Sequence, residues 1–237
     1  SKYYIGTGST NLGVCLFSDT IYDIFSTSVY KCDTTTKGIT HIAGGPLAIS
    51  IVRMNGNIYQ SEHGVGPSYG IYMNGVMKLR LIDCTYMTTC GSYIYISTGT
   101  SGDSIFRINP NTFAKAFVAK APAAVRAITA NGVKDSLYIA TGAGIYMYDT
   151  AGNGGTNILS STYVTGLSFD NGSLYFINDS VNNFSVRVIT GSAALGIVAV
   201  ADADCKFIVY PNPSASSFHI KGNGLATIYD LTGRLIE

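Results

Sequence analysis

The chain has 237 residues, enough for a sizeable core in one or two domains. Charged residues make up 12% of it, about half the ordinary share, and the formal net charge is +1. That balance excludes the electrostatic footprint of a nucleic-acid binder or of a protein held to an anionic membrane. The rest is rich in glycine (27), serine and threonine (46 together) and tyrosine (17), with no tryptophan. Strand formers with glycine-rich turns, and no long Ala/Leu/Glu/Lys stretches, predict an all-β fold.

The opening "KYYIGTG" reads as the last strand of a unit whose beginning is absent. Either it closes the final unit of a repeat, or further units lie upstream. The chain starts at Ser1 without an initiator Met or a signal peptide, so it reads as a mature form or a fragment. A repeat then becomes visible. "TIYDIF", "NIYQSE", "YIYIST", "SLYIAT" and "SLYFIN" align on Tyr22, Tyr59, Tyr95, Tyr138 and Tyr175 at spacings of 37, 36, 43 and 37 residues. After each anchor a second strand is predicted: "SVYKCD", "GIYMNG", "SIFRIN", "GIYMYD" and, more weakly, "FSVRVIT". Polar turns such as "DTTTKG", "NPNT" and "DTAGNGG" follow, and then a third strand: "ITHIAG", "MKLRLI", "AKAFVA", "NILSS" or "ALGIVAV". One more strand precedes the anchor, as in "AISIVRMNGN", "VRAITANGV" and "VTGLSFDNGS".

Four short strands in roughly 40 residues are the size of a β-propeller blade. Five blades are visible over 1–200, and the total stays open. A β-sandwich would alternate strands without this fixed period. The blades resemble those of the broad NHL and YncE-like propellers, among which "LYIAT…IYMYDTAGN" is an ordinary blade. A tyrosine at one place in every blade is expected to be a packing residue with its hydroxyl satisfied near a loop.

Catalytic chemistry is hard to find. The aspartates fall mostly in turns, where Asp bonds its own backbone. Glu62 with His63 in "QSEHGVG" is the one cluster that fits a catalytic or metal site, and solvated surface is its plainer reading. His41 and His219 stand alone, and neither GxSxG nor HExxH occurs. "IGTGSTNLG" and "ATGAGIY" mimic nucleotide loops but open no helix. "ADADC" lacks the spacing of a calcium loop and reads as a linker over 201–205. No CxxC pair or Cys/His cluster predicts zinc, so no metal, cofactor or catalytic residue is assigned. Of five cysteines, Cys84 and Cys90 in "DCTYMTTCGS" could face each other across a tight hairpin, a plausible disulfide in an oxidising compartment. Cys15, Cys32 and Cys205 have no evident partner.

A triplet of Asp, then Ser or Thr, then a small apolar residue or Thr occurs six times: "DTI", "DTT", "DSI", "DSL", "DTA" and "DSV". It resembles the O-glycosylation acceptor of Bacteroidota, which implies sugar on Thr20, Thr34, Ser104, Ser136, Thr150 and Ser180. Blade repetition itself also generates a turn aspartate before a β-former, and both readings stand.

From Lys206 the sequence resembles the type IX secretion C-terminal sorting domain (type A) of Bacteroidota. "FIVYPNPSASSFHIKG" has a strand, the YPNP turn and a second strand, and "ATIYDLTGRLI" has a strand ending in the YDLTGR turn. Pro211 and Pro213 restrict the first turn, and Asp230 with Gly233 reverses the chain at the second. Tyr210, Pro211, Asn212, Pro213, Asp230, Gly233 and Arg234 carry the motif. Members of that family continue for some 40 more residues, so 206–237 corresponds to a partial β-sandwich. The resemblance implies a type IX translocon as partner during export, and a secreted or outer-surface location on a Gram-negative Bacteroidota-type bacterium.

The expectation is therefore a secreted or surface-displayed propeller acting as a binding or adhesion module for a glycan or protein. A polysaccharide hydrolase or lyase, with Asp residues together with Glu62 and His63 at the channel mouth, is the second reading. A structural subunit, as a homo-oligomer or in a larger surface assembly, is the third. No transmembrane segment is predicted, since the longest apolar run, around "AALGIVAVA", falls far short of the roughly 20 residues a spanning helix needs.

Overall fold

The protein is described by a computed structural model covering residues 11–17, 20–25, 28–33, 36, 38–44, 48–62, 69–98, 101–170, 172–180 and 183–190, together with short strands at 208–210, 219–221, 228–229 and 235–236. The chain divides into two compact units, Ser1–Val198 and Ala199–Glu237.

The first unit is a β-propeller built from consecutive antiparallel meanders. Blade 1 comprises β1 (Asn11–Phe17), β2 (Thr20–Phe25), β3 (Ser28–Asp33) and β4 (Ile39–Gly44). Blade 2 comprises β5 (Ala48–Met54), β6 (Asn57–Glu62), β7 (Gly70–Met73) and β8 (Val76–Arg80). Blade 3 comprises β9 (Met87–Cys90), β10 (Tyr93–Thr98), β11 (Ser104–Ile108) and β12 (Lys115–Lys120). Blade 4 comprises β13 (Val125–Asn131), β14 (Ser136–Thr141), β15 (Gly144–Asp149) and β16 (Gly154–Leu159). Blade 5 comprises β17 (Val164–Asp170), β18 (Ser173–Ser180) and β19 (Asn183–Thr190). All five anchor tyrosines fall in the second strand of a blade, as the spacing predicts. The strand expected in "ALGIVAV", and the one in "KYYIGTG", lie outside the described residues.

Local chemistry sets the turns. Asn55-Gly56 and Asn74-Gly75 join β5 to β6 and β7 to β8 with positive φ at both residues (50° and 78°, then 52° and 79°). Two-residue turns of this kind match the right-handed twist of paired strands, and Asn-Gly tolerates them at little strain. The repeat extends to backbone irregularities. A register shift recurs near the start of the first strand, at Asn11/Gly13, Ala48/Ser50, Val125/Ala127 and Val164/Gly166. Another recurs between the third and fourth strands, at Val29/Tyr30, Ile71/Tyr72, Ile105/Phe106 and Ile145/Tyr146. Bulges bend and twist a strand, and each of these two recurs at one equivalent place in four of the blades.

The blades meet through their first strands, β1 against β5, β5 against β9, β9 against β13 and β13 against β17. Between blades lie the apolar cores. Tyr59 and Ile71 of blade 2 pack on Met87, Ile94 and Ile96 of blade 3. Tyr95 and Ile105 of blade 3 pack on Leu137 and Ile139 of blade 4. Tyr138 and Ile145 of blade 4 pack on Leu174 and Phe176 of blade 5. In blades 2 to 4 a trailing face thus carries the tyrosine, and in blades 3 to 5 a leading face is formed by the residues on either side of it. Alternation along a strand makes this two-sided burial possible, and Tyr59, Tyr95 and Tyr138 are packing residues as expected, whereas Tyr175 is exposed. The Tyr95 hydroxyl donates to the Thr150 carbonyl at 3.3 Å, satisfied beside a turn.

The expected Cys84–Cys90 disulfide is corrected. Both are free, buried thiols on opposite faces of the same blade. Cys84 lies in the core between blades 2 and 3, and Cys90 in the core between blades 3 and 4. Met87 and Cys90 bound a four-residue strand whose ends point to opposite sides, so the spacing that looked like a hairpin spans the sheet instead.

In the second unit β20 (Ile208–Tyr210) pairs with β21 (His219–Lys221), and β22 (Ile228–Tyr229) with β23 (Leu235–Ile236), both antiparallel. The two ladders bracket YPNP and YDLTGR. Tyr210 closes β20, while Pro211, Asn212, Pro213, Asp230, Gly233 and Arg234 lie outside the described residues. Among the described residues no helix is long and apolar enough to cross a membrane.

Candidate functional site

The first strands of blades 2 to 5 bound a cavity of about 620 Å³, within the size range of small-molecule sites. Its axial wall carries Ser50 from β5, Tyr86 and Met87 at the start of β9, Arg126 and Ile128 from β13, and Thr165 and Ser168 from β17. Its lateral wall is the trailing face of blade 5, with Tyr175, Ile177 and Val186.

Hydrogen bonds between blades hold the axial wall. The Met87 N–H donates to Ser50 Oγ at 3.0 Å, joining blades 2 and 3. Ser61 Oγ donates to the Thr85 carbonyl. The Thr85 N–H donates to the Ser97 carbonyl at 2.9 Å, and the two hydroxyls lie 2.6 Å apart. The Tyr86 N–H donates to Ser97 Oγ at 3.1 Å. Thr85 and Tyr86 are thereby pinned between β6 and β10, which fixes the tyrosine at the cavity wall. On the other side Arg126 Nη1 donates to the Thr162 carbonyl at 2.6 Å, tying blade 4 to the approach of blade 5. The guanidinium stays exposed and keeps further N–H donors for a ligand. At the β17 bulge a Cβ on Gly166 would sit 2.9 Å from Ile177 Cδ1, so glycine lets this side chain lie close.

Among the described lining residues Arg126 is the one charged group, and none is acidic. Neutral hydroxyls beside apolar surface and a fixed cation suit recognition of a hydroxyl-rich or anionic group. Among the described lining residues the only groups of the kinds used in general acid–base work are the phenols of Tyr86 and Tyr175.

Glu62 lies elsewhere. It ends β6, 0% exposed, and does not line the cavity. Three residues after each of four anchors stands a buried polar side chain: Glu62, Thr98, Thr141 and Asn178. Thr98 donates to the Ile82 carbonyl, Thr141 to the Gly144 carbonyl at 3.3 Å, and Asn178 accepts from Ser161 at 3.4 Å. Glu62 occupies the same structural position, accepting from Gln60 Nε2 at 3.1 Å. Burial pushes its carboxyl above the usual range, while hydrogen bonds from Gln60 and Tyr72 hold part of the rise back. The solvated-surface expectation for Glu62 is thus replaced by a buried structural role, and His63 lies outside the described residues.

The triplet residues scatter around the blades. Thr20, Ser104 and Ser136 open β2, β11 and β14, Ser180 closes β18, and Thr150 sits in the turn after β15; Thr34 lies outside the described residues. Thr20, Ser104, Ser136 and Thr150 are half-buried. Two of their aspartates hold turns. Asp149 Oδ1 accepts from the N–H groups of Ala151 (2.9 Å) and Asn153 (2.8 Å), and Asn153 holds its carboxyl below the usual range. Asp33 accepts from the Thr36 N–H at 2.9 Å. No three His, Cys, Asp or Glu side chains converge as a metal set among the described residues.

Sequence reasoning did not single out Ser50, Tyr86, Arg126 or Thr165. The available signal was positional: each lies in or beside the first strand of its blade, and first strands face a propeller's axis.

No family model matches the chain, and no curated protein matches it. Solved structures do. The chain is similar to the nidogen/laminin complex with a TM-score of 0.60 and 13% identity, covering 76% of this chain and 75% of that one. It is similar to a gluconolactonase from Xanthomonas campestris, TM-score 0.53 and 14% identity, over 68% of this chain and 66% of that one. It is also similar to the extracellular domain of a hybrid two component system from Bacteroides thetaiotaomicron, TM-score 0.56 and 13% identity, covering 88% of this chain but 30% of that one. At these identities the likeness establishes the propeller fold, which these neighbours share across different roles.

Proposed function

We propose that the propeller is a binding module whose axial cavity recognises a glycan or a protein segment presenting hydroxyl or anionic groups. One observation carries this reading: a cavity of about 620 Å³ that holds Arg126 and several hydroxyls, with no acidic side chain among its described lining residues. The absence of Asp and Glu among the described lining residues disfavours the hydrolase or lyase reading, and Glu62 does not line the cavity. The nidogen/laminin likeness is in keeping with a propeller used for binding.

A glycan array probed with the labelled chain, followed by calorimetry on any hit, tests the site. Arg126→Ala and Thr165→Ala are each expected to weaken binding about tenfold, the effect of one charge-assisted or two neutral hydrogen bonds. Undiminished affinity in both variants would remove the cavity from consideration.

We further propose that the chain is exported by the type IX route to the cell surface or medium. The YPNP and YDLTGR motifs support this, each lying between two short paired strands. Expression in a type IX-competent bacterium and in its translocon-deficient derivative separates the outcomes. Secretion from both strains alike would refute the route.

A further inference from the structure

The register shift near the start of the first strand gives one residue in a blade a special place. The residue skipped between Ala48 and Ser50, between Val125 and Ala127, and between Val164 and Gly166 is Ile49, Arg126 and Thr165 in turn. All three line the axial cavity, so the bulge of blades 2, 4 and 5 aims a side chain into it. Of the three, only Arg126 is charged. Elsewhere Lys120 pairs with Asp103 at 3.5 Å, Arg107 lies 5.3 Å from the Tyr93 ring centre and Lys115 4.7 Å from that of Phe106. Arg126 has no carboxylate or ring partner among the described residues, and its hydrogen bond goes to the neutral Thr162 carbonyl.

We propose, on the reading that this cavity binds glycan, that its ligand is an acidic saccharide whose carboxylate sits against Arg126. The guanidinium is held in advance. Its Nη1 donates to the Thr162 carbonyl at 2.6 Å, and a Cβ on Gly142 would lie 3.4 Å from Nη2, so the group rests against the turn between β14 and β15. Little side-chain freedom is then lost when a ligand arrives. A planar guanidinium presents parallel N–H donors that match a carboxylate in two bonds, and a single carbonyl leaves most of them free. With no acidic side chain among the described lining residues, one anionic group from the ligand supplies the missing countercharge. Around it stand the hydroxyls of Thr165, Ser168 and Ser50. Ser50 Oγ accepts from the Met87 N–H and keeps its own proton to donate. Several hydroxyls about one cation match a ligand with many hydroxyls per charge, which an acidic sugar is and an acidic peptide is not. The half-buried Tyr86, with Ile49 and Ile128, adds apolar surface for the face of a sugar ring.

Calorimetry on the 237-residue chain with galacturonate, mannuronate and glucuronate trimers, each beside its uncharged methyl ester, tests this. At least one acid is expected to bind about tenfold tighter than its ester, with the preference shrinking as salt is raised. Arg126→Gln should abolish the preference and leave ester binding unchanged, which also shows that the variant folds. Arg126→Lys, with the charge but without the fork, should keep only part of it. Acids and esters bound alike, and both weakened by Thr165→Ala, would overturn the carboxylate site while leaving the cavity a site for neutral glycan. A preference that survives Arg126→Gln, or tighter binding of an aspartate-rich peptide or a sulfated galactose trimer, would overturn it as well. Binding of no saccharide, acid or ester, would overturn the glycan reading of the cavity together with it.

Discussion

Gly70 and Gly144 each open the third strand of a blade, in the shared "GIY" of blades 2 and 4. Their φ values are +158° and +141°, and a Cβ there would lie 2.0 Å from the Leu79 carbonyl oxygen or 2.2 Å from that of Leu159. The fourth strand approaches so closely that no side chain fits. Gly144→Ala is therefore expected to lower stability by about 2–4 kcal/mol, read by chemical denaturation. Glu62 carries a pH consequence. Its folded pKa lies above the unfolded value, so the folded state holds its proton more tightly. Stability is greatest below the unfolded pKa and falls as pH rises through the folded one. Glu62→Gln should be more stable than the parent near pH 8 and equal to it near pH 4; a constant difference would exclude titration as the cause. For Cys84, burial and then the neighbouring Asp83 push the thiol up to about 12. Thiolate is then scarce at neutral pH, and the Sγ donates to the Leu81 carbonyl at 3.2 Å. Cys84 should resist alkylation until the protein unfolds, and a reductant should leave the melting curve unchanged.

At the scale of the strand, identical chemistry gives different energetics according to what lies across the interface. Val29 and Val186 occupy the same register position in blades 1 and 5, at 0% and 66% exposure. Val29→Ala removes buried methyl groups and leaves a cavity, an expected loss of about 2 kcal/mol. Val186→Ala should stay within about 0.5 kcal/mol in the monomer. Equal losses from the two variants would mean that the difference in exposure does not set the energetics of this register position. The buried polar series Glu62, Thr98, Thr141 and Asn178 follows the same logic. One place at a blade end takes a buried polar side chain, and four blades meet it with three residue types, Glu, Thr twice and Asn.

For the whole molecule, the blades form a row of repeated interfaces in which each contacts mainly its sequence neighbours. Stability should therefore be distributed. A substitution in the core between blades 3 and 4, such as Ile105→Ala, should loosen hydrogen-exchange protection in those two blades before blade 2. The glycosylation proposal belongs at this scale too. Intact mass of chain purified from a Bacteroidota host should exceed the sequence mass by hexose-sized increments, and an unmodified mass ends it. Thr20, Ser104, Ser136 and Thr150 are half-buried, so some acceptors would have to be modified at blade rims or before folding.

Much of this architecture was readable along the chain, and the reason is geometric. A blade is a local object: four strands joined by short turns, specified by residues within about 40 positions of one another. Tyr59, Tyr95 and Tyr138 recur because each packs on a neighbour of the same kind, so repetition in three dimensions leaves repetition in sequence. Asn55-Gly56 and Asn74-Gly75 were equally legible, since positive φ narrows the choice of residue. The cavity was not legible, because Ser50, Tyr86, Arg126 and Thr165 come from four blades and share no local pattern. Nor was the separation of Cys84 from Cys90, which depends on the face to which each of two nearby residues turns. The sequence by itself determined the repeat, the blade and the turns, through short-range rules of strand alternation and backbone strain. The tertiary structure alone decided which residues meet at the axis, because those contacts join residues far apart in the chain.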